Sequence, residues 1–298
     1  MARGFSVADP APSVTRNRIG LHILPGAPRS TLDMMQRLDA ARRPISFVTL
    51  VYVGGVPAFS AAEIKAVSPR TVICARDLRG SDYHGDDIGG WDKATREHGR
   101  AYFERNKHLI TDDMRKADFI QFRDINETGE GAGINAWWQG MLDGADASHV
   151  KLGVYQFSYG NPSNLGFWQW VSTWQLLRRV KADGHALCLH QYADNDDWTN
   201  DWTILRHKRI YPLLPADLQS IKLWITECGE SFLAPGTPPD RSPGRYAQRL
   251  PVLQRNLQNS PGDADVALWS LGNGGSDYWN PDRIEGVLGV IEQVVMQG

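Results

Sequence analysis

Hydrophobic positions along the chain fall into short β-rich runs that alternate with longer stretches of helical period. The runs Ile19–Leu24, Ile45–Val53, Thr71–Ala75, Phe119–Ile125, Leu152–Phe157, Ala186–His190, Leu223–Thr226 and Val266–Ser270 read as strands. Several are apolar without alternation, as expected for parallel strands covered on both faces. Between them lie predicted helices. Ser30-Thr31-Leu32-Asp33 and Ser60-Ala61-Ala62-Glu63 have the spacing of capping boxes and would open the first two. Leu32, Met35 and Leu38 give the first an apolar face. Further helices are predicted over 93–107, 134–142, 165–181, 202–213, 243–259 and 281–296. The third and fourth strands are far apart, so a loop over 81–91 or a broken helix is expected between them.

Eight β-then-α units predict an α/β fold, a single (β/α)8 TIM barrel. An open doubly wound sheet is the runner-up, disfavoured by the number of units and by the lack of a Gly-rich phosphate loop. The 298 residues suit one such barrel, expected to fill 1–298 with 1–18 as an irregular N-terminal segment. There is no internal repeat or linker, and the Pro/Gly-rich stretch 234–244 reads as a loop after the seventh strand.

Composition narrows the classes. A net charge of −2 gives no footprint for nucleic acid or an anionic membrane. The longest apolar runs, such as 47–53, are far short of the roughly 20 residues of a membrane span. A monomer is expected, without a cofactor. Residues 1–18 contain Pro10, Pro12 and several charges instead of a secretory apolar core. The compartment is therefore open, and extracellular action would require a trimmed signal. The 3 cysteines, Cys74, Cys188 and Cys228, form no CxxC and read as buried thiols, with a Cys188–Cys228 bridge as the alternative.

The candidate chemistry gathers where the strands end. His22 lies near the end of the first strand, Arg76 and Asp77 follow the third, and Asn126 and Glu127 follow the fourth. Gln156 and Tyr159 belong to the fifth, His190, Gln191 and Tyr192 to the sixth, Glu227 to the seventh, and Trp269 and Asn273 to the eighth. Core packing does not call for polar side chains at so many successive strand ends, and barrel active sites lie at that edge. Two carboxylates in such a setting suit the acid and nucleophile pair that cleaves glycosidic bonds. Each residue also has a structural reading. His22 and His190 could be buried, satisfied histidines, and Arg76 could pair with Asp77, Glu127 or Glu227. Tryptophan is abundant, with 11 residues. Trp137, Trp138, Trp168, Trp170, Trp198, Trp202 and Trp279 could supply sugar-stacking platforms or fill the core. The acidic run Asp194, Asp196 and Asp197 beside Trp198 reads as a solvated loop.

Asn126-Glu127 after the fourth strand and Glu227 in Trp224-Ile225-Thr226-Glu227-Cys228-Gly229 resemble the clan A retaining glycoside hydrolases. His190-Gln191-Tyr192 is similar to their sixth-strand His-x-Tyr, and Trp269 to their eighth-strand Trp. The resemblance implies Glu127 as acid/base, Glu227 as nucleophile, Asn126 on the 2-hydroxyl of the reacting sugar, Tyr192 on the nucleophile and Trp269 beneath the sugar. It implies double-displacement cleavage of a poly- or oligosaccharide, endo-acting if the tryptophans form several subsites. His190, Arg76, His22, Gln156, Tyr159 and Trp198 complete the expected substrate-binding set. Departures are Thr128 after the acid/base, Cys228 after the nucleophile and no Arg ending the second strand, for which Arg76 could substitute. The alternatives are a non-catalytic carbohydrate-binding barrel and a metal-dependent hydrolase on the same barrel; the latter lacks a first-strand His-x-His and a strand-four Lys.

Overall fold

A computed structural model describes residues 16–79, 88–122, 131–158, 160–194, 197–230, 242–271 and 281–297. Among them are eight strands: β1 (Ile19–Ile23), β2 (Phe47–Tyr52), β3 (Val72–Asp77), β4 (Phe119–Gln121), β5 (Gly153–Phe157), β6 (Ala186–Ala193), β7 (Lys222–Glu230) and β8 (Asp263–Leu271). The helices are α1 (Ser30–Ala40), α2 (Ala61–Val67), α3 (Arg96–Asn106), α4 (Ile134–Ala147), α5 (Val171–Asp183), α6 (His207–Ile210), α7 (Pro243–Gln258) and α8 (Pro281–Gln297). All eight strands are parallel, in the order β4-β3-β2-β1-β8-β7-β6-β5. The ring closes through a short seam, the parallel bridge Ile120–Leu152, where the Ile120 N–H donates to Lys151 O at 2.8 Å. The chain is a (β/α)8 barrel.

Each strand sends alternate residues to two apolar regions. Ile19, Leu21 and Ile23 join the layer between strands and helices, as do Leu187, Leu189, Leu223 and Ile225. Phe47, Cys74, Phe119, Ala186, Cys188 and Ala267 fill the barrel axis, with Val72 and Trp224 packed against them. The three cysteines are free and buried. Cys188 pairs in register with Trp224, and Cys228 with Gln191. Three residues of rise, about 10 Å, separate the two thiols' positions, which rules out the bridge.

Helix starts follow local chemistry. Ser60 and Glu63 form the full capping box on α2, with Ser60 N–H donating to the Glu63 carboxylate at 2.8 Å. The expected Ser30 box is absent: Arg29 is the N-cap, and Ser30 Oγ instead donates to Glu285 at 2.5 Å. The helix predicted over 165–181 breaks at Trp170, which separates a 3-10 turn from α5. The helix predicted over 202–213 shrinks to α6 and a 3-10 turn containing Pro212. The Asn200 side chain accepts from Trp202 N–H at 2.8 Å and holds the preceding residues in a turn. No described helix is long and apolar enough to cross a membrane.

His207, on α6, is fully buried. With the Gln191 amide turned to donate to Nδ1 at 3.1 Å, Nε2–H donates to Ser260 Oγ, also at 3.1 Å. Burial pushes the imidazole down to about 3, so it stays neutral in the fold. The unfolded chain takes up that proton near pH 6.5. The stability His207 contributes is therefore complete above pH 6.5 and is lost as pH falls from there toward 3. Denaturant unfolding at successive pH values should show His207→Gln flattening the acid limb by about 1.4 kcal/mol per pH unit. An unchanged slope would mean the imidazole is already charged in the fold.

Candidate active site

Alternation along β7 should aim Thr226 at the barrel axis and Glu227 away from it, because Trp224 packs on the axis and Ile225 outside. The ladder shows why Glu227 turns inward instead. Leu189 pairs with Ile225 but His190 with Glu227, and Val266 pairs with Ile225 but Leu268 with Cys228. Strand β7 thus carries one extra residue against both neighbours, a bulge that re-aims the glutamate. The bulge releases the Thr226 carbonyl from the ladder, and Thr49 Oγ1 donates to it at 2.9 Å from across the barrel. Cys228, now outward, joins the outer core.

The same layer of the barrel holds two more such insertions. Strand β8 has an extra residue around Trp269 and Ser270 against β1, since Leu21 pairs with Leu268 but Ile23 with Leu271. In β5, Tyr155 pairs with Cys188 and Phe157 with Leu189, leaving Gln156 over. Tyr155 and Gln156 have φ of +71° and +95°, a region that costs side-chain-bearing residues energy and recurs at functional sites. Tyr155 packs outward on Trp138 and Trp168 and donates to Asn135 at 2.5 Å. Phe157 also packs outward, on Phe167 and Trp168. Gln156 between them turns to the axis, and neither of its amide atoms has a hydrogen-bond partner among the described residues. Such a buried amide costs roughly 1–3 kcal/mol unless something completes it.

These turns bring the candidate residues together. Glu227 is 5% exposed. Arg76, two residues beyond axial Cys74 on β3, forms an ion pair through Nη1 with Glu227 Oε1. Tyr192 donates its hydroxyl to Oε2. His190 Nδ1 lies 3.6 Å from Oε2, and His22 Nε2 lies 3.9 Å from Oε1. Desolvation, followed by the positive charge of Arg76, holds His22 well below the usual histidine range. His22 is therefore a neutral neighbour, and Arg76 is the cation that lies against the buried carboxylate. Asp77 is not part of this cluster. It is clamped by Arg79, whose Nε reaches both carboxylate oxygens at 3.1 and 3.0 Å.

Other expected residues stand elsewhere. Asn126, Glu127 and Tyr159 lie outside the described residues, as do the side chain of Trp269, Asn273 and Trp279. Trp198 is buried with its ring against Tyr246 and offers no platform at a pocket rim. Trp137, Trp138 and Trp168 are likewise core residues. They knit α4 and the 3-10 turn before α5 to β5, which is why the abundance of tryptophan does not translate into a lined cleft. Trp202 is the exposed one among the described tryptophans, at 48%, with the Arg209 guanidinium 3.7 Å over one ring face. Thr49 escaped the sequence reading. Its only signal is a hydroxyl within the apolar run Phe47-Val48-Thr49-Leu50.

Among the described residues, Asp146, Asp183 and His185 form the group with metal-ligand spacing. His185 Nδ1 accepts the Leu152 N–H at 3.0 Å, so Nε2 carries the proton it donates to Asp146 at 3.1 Å. Arg179 pairs with both aspartates. The group is a clamp at the base of the barrel, already saturated by its own partners.

No protein-family model matches the sequence, and no curated protein matches it. Solved structures do match in fold. A glucosidase from Croceicoccus marinus superposes with a TM-score of 0.54 at 12% identity, over 94% of this chain and 67% of that one. The cellulose synthase subunit Z from Clostridioides difficile gives a TM-score of 0.50 at 10% identity, over 93% and 99%. A GH128 endo-β-1,3-glucanase from Amycolatopsis mediterranei, solved with laminaritriose, gives 0.49 at 13% identity, over 93% and 99%. At these identities the likeness concerns the barrel.

Proposed function

We propose that the protein is a retaining glycoside hydrolase that cleaves a poly- or oligosaccharide, with Glu227 as nucleophile and Glu127 as acid/base. The observation that carries this reading is the setting of Glu227. A carboxylate turned inward by a bulge, almost dry, paired with Arg76 and oriented by Tyr192, is a poor structural element and a good nucleophile. Arg76 occupies the place of a cation beside it, which favours nucleophilic chemistry over metal-assisted hydrolysis at this carboxylate.

The steps follow from the groups. Glu227 attacks the anomeric carbon as the bond to the leaving oxygen breaks, and Glu127 gives that oxygen its proton. The product is a glycosyl ester on Glu227. Glu127, now a carboxylate, takes a proton from water as the water attacks the same carbon and Glu227 departs, with configuration retained. Asn126 binds the 2-hydroxyl, and Trp269 underlies the sugar ring. His22, His190 and the Gln156 amide face the axis with polar atoms suited to sugar hydroxyls. Trp202, with one face backed by Arg209, suits a more distant sugar of an endo-acting enzyme's substrate.

A panel of β-1,3-glucan, β-1,4-glucan, β-mannan and xylan, assayed for new reducing ends, tests the reading. Turnover of one polymer that is lost in Glu127→Ala is the expected result. Glycan binding with no turnover in the intact protein would instead identify a non-catalytic carbohydrate-binding barrel.

A further inference from the structure

The opposite end of the barrel holds a second, basic cavity. It measures about 260 Å³ and is lined by Arg16, Arg42, Arg43 and Arg70, with Asn17 and Ser46 among the framing residues. Asn17 lies two residues before β1 and Ser46 immediately before β2, which places the cavity at the strands' N-terminal edge. The polar frame is committed to the backbone. Asn17 Nδ2 donates to Ile19 O and Pro44 O at 2.8 and 3.0 Å, and Ser46 Oγ to Ile19 O at 3.3 Å. The guanidinium groups are not all committed.

Arg16 pairs with Asp263 and Asp265, and Arg70 with Asp39. Arg18 and Lys222 share Asp263 and Asp265 as well. Arg42 and Arg43 have no carboxylate within 4.0 Å among the described residues. Four arginines line the cavity and Arg18 stands beside them, so five guanidinium groups face the three carboxylates Asp39, Asp263 and Asp265. Lys222, which burial pushes down to about 7, adds to the crowding on Asp263 and Asp265. Repulsion among these groups favours a bound anion. Guanidinium forks match oxyanions with two or more charges better than chloride.

We propose that this basal cavity binds a multivalent oxyanion of the phosphate class, held chiefly by Arg42 and Arg43. Phosphate should raise Tm saturably, by about 4 °C at a hundredfold excess over Kd. Sodium chloride at matched ionic strength should give no saturable rise. In the double variant Arg42→Asn/Arg43→Gln the phosphate response should vanish while its melting temperature without phosphate stays close to the parent's. Asn is chosen because Arg42 sits at φ +60°, which Asn tolerates. Calorimetric titration with inorganic phosphate and with glycerol 2-phosphate separates a free anion from an esterified one by which binds more tightly. Equal responses to phosphate and chloride, or an undiminished response in the double variant, would overturn the proposal. The test does not depend on glycosidase activity, so the two readings stand or fall separately.

Discussion

Glu227→Ala is expected to lower kcat by at least roughly 10⁴-fold, a loss of about 5 kcal/mol of transition-state stabilisation. Azide should restore turnover of a substrate with a good leaving group. The reason lies in what the truncation leaves. The bulge in β7 and its Thr49 clamp involve backbone atoms and survive the change. The space vacated by the carboxylate is lined by Arg76 and Tyr192, a cation and a hydroxyl donor suited to a small anion. Azide in that space should attack the anomeric carbon from the face proposed for Glu227. With no second displacement to follow, the glycosyl azide has inverted configuration, readable by NMR. Removing the carboxylate also leaves Arg76 buried without it, so a lower Tm is expected alongside. Recovery by azide separates the two effects, since a merely unfolded protein would not respond. Retained activity in Glu227→Ala, or a rescued product of retained configuration, would rule out Glu227 as nucleophile.

The architecture was legible because parallel strands buried on both faces leave continuous apolar runs, and all eight appear where the runs are. Helix extents were less legible. Ser30 has the spacing of a cap, yet its hydroxyl is taken by Glu285, more than two hundred residues away in sequence. The site was readable as polar residues at strand ends, which brought in Glu227, Arg76, Tyr192, His190 and His22 together. What made them converge was not readable. A bulge inserts one residue without a distinctive residue type, and neither Thr226 nor Tyr155-Gln156 advertises one. Tryptophan misled in the other direction. An aromatic ring serves a cleft or a core equally well by composition, and Trp137, Trp138, Trp168 and Trp198 turned out to serve the core.

Gly140→Ala should destabilise the barrel by about 3 kcal/mol or more, with a Tm fall of roughly 5 °C or more. Helices α3 and α4 touch backbone to backbone. A Cβ on Gly140 would overlap the Arg96 carbonyl and press on Arg100 N, and one on Gly99 would overlap the Trp137 carbonyl. Neither neighbour is the free end of a side chain, so the helices must separate to admit a methyl group. Separation cannot stay local, because α4 also carries Asn135, the hydrogen-bond acceptor of Tyr155, and Trp138 beneath the β5 bulge. The substitution should therefore reduce turnover as well as stability by loosening Gln156. Gly144→Ala presses on the buried Phe103 side chain, from Cβ to the ring, and should cost less only because a side chain yields more readily than the backbone that Gly140 faces. Gly289→Ala on α8 meets nothing within 4 Å and should stabilise by about 0.5–1 kcal/mol, as expected for an unhindered helical glycine. Thermal melts of the three variants rank the positions. If Gly140→Ala melts with or above Gly289→Ala, the α3–α4 contact is not the close crossing described, and the support of β5 must come from elsewhere.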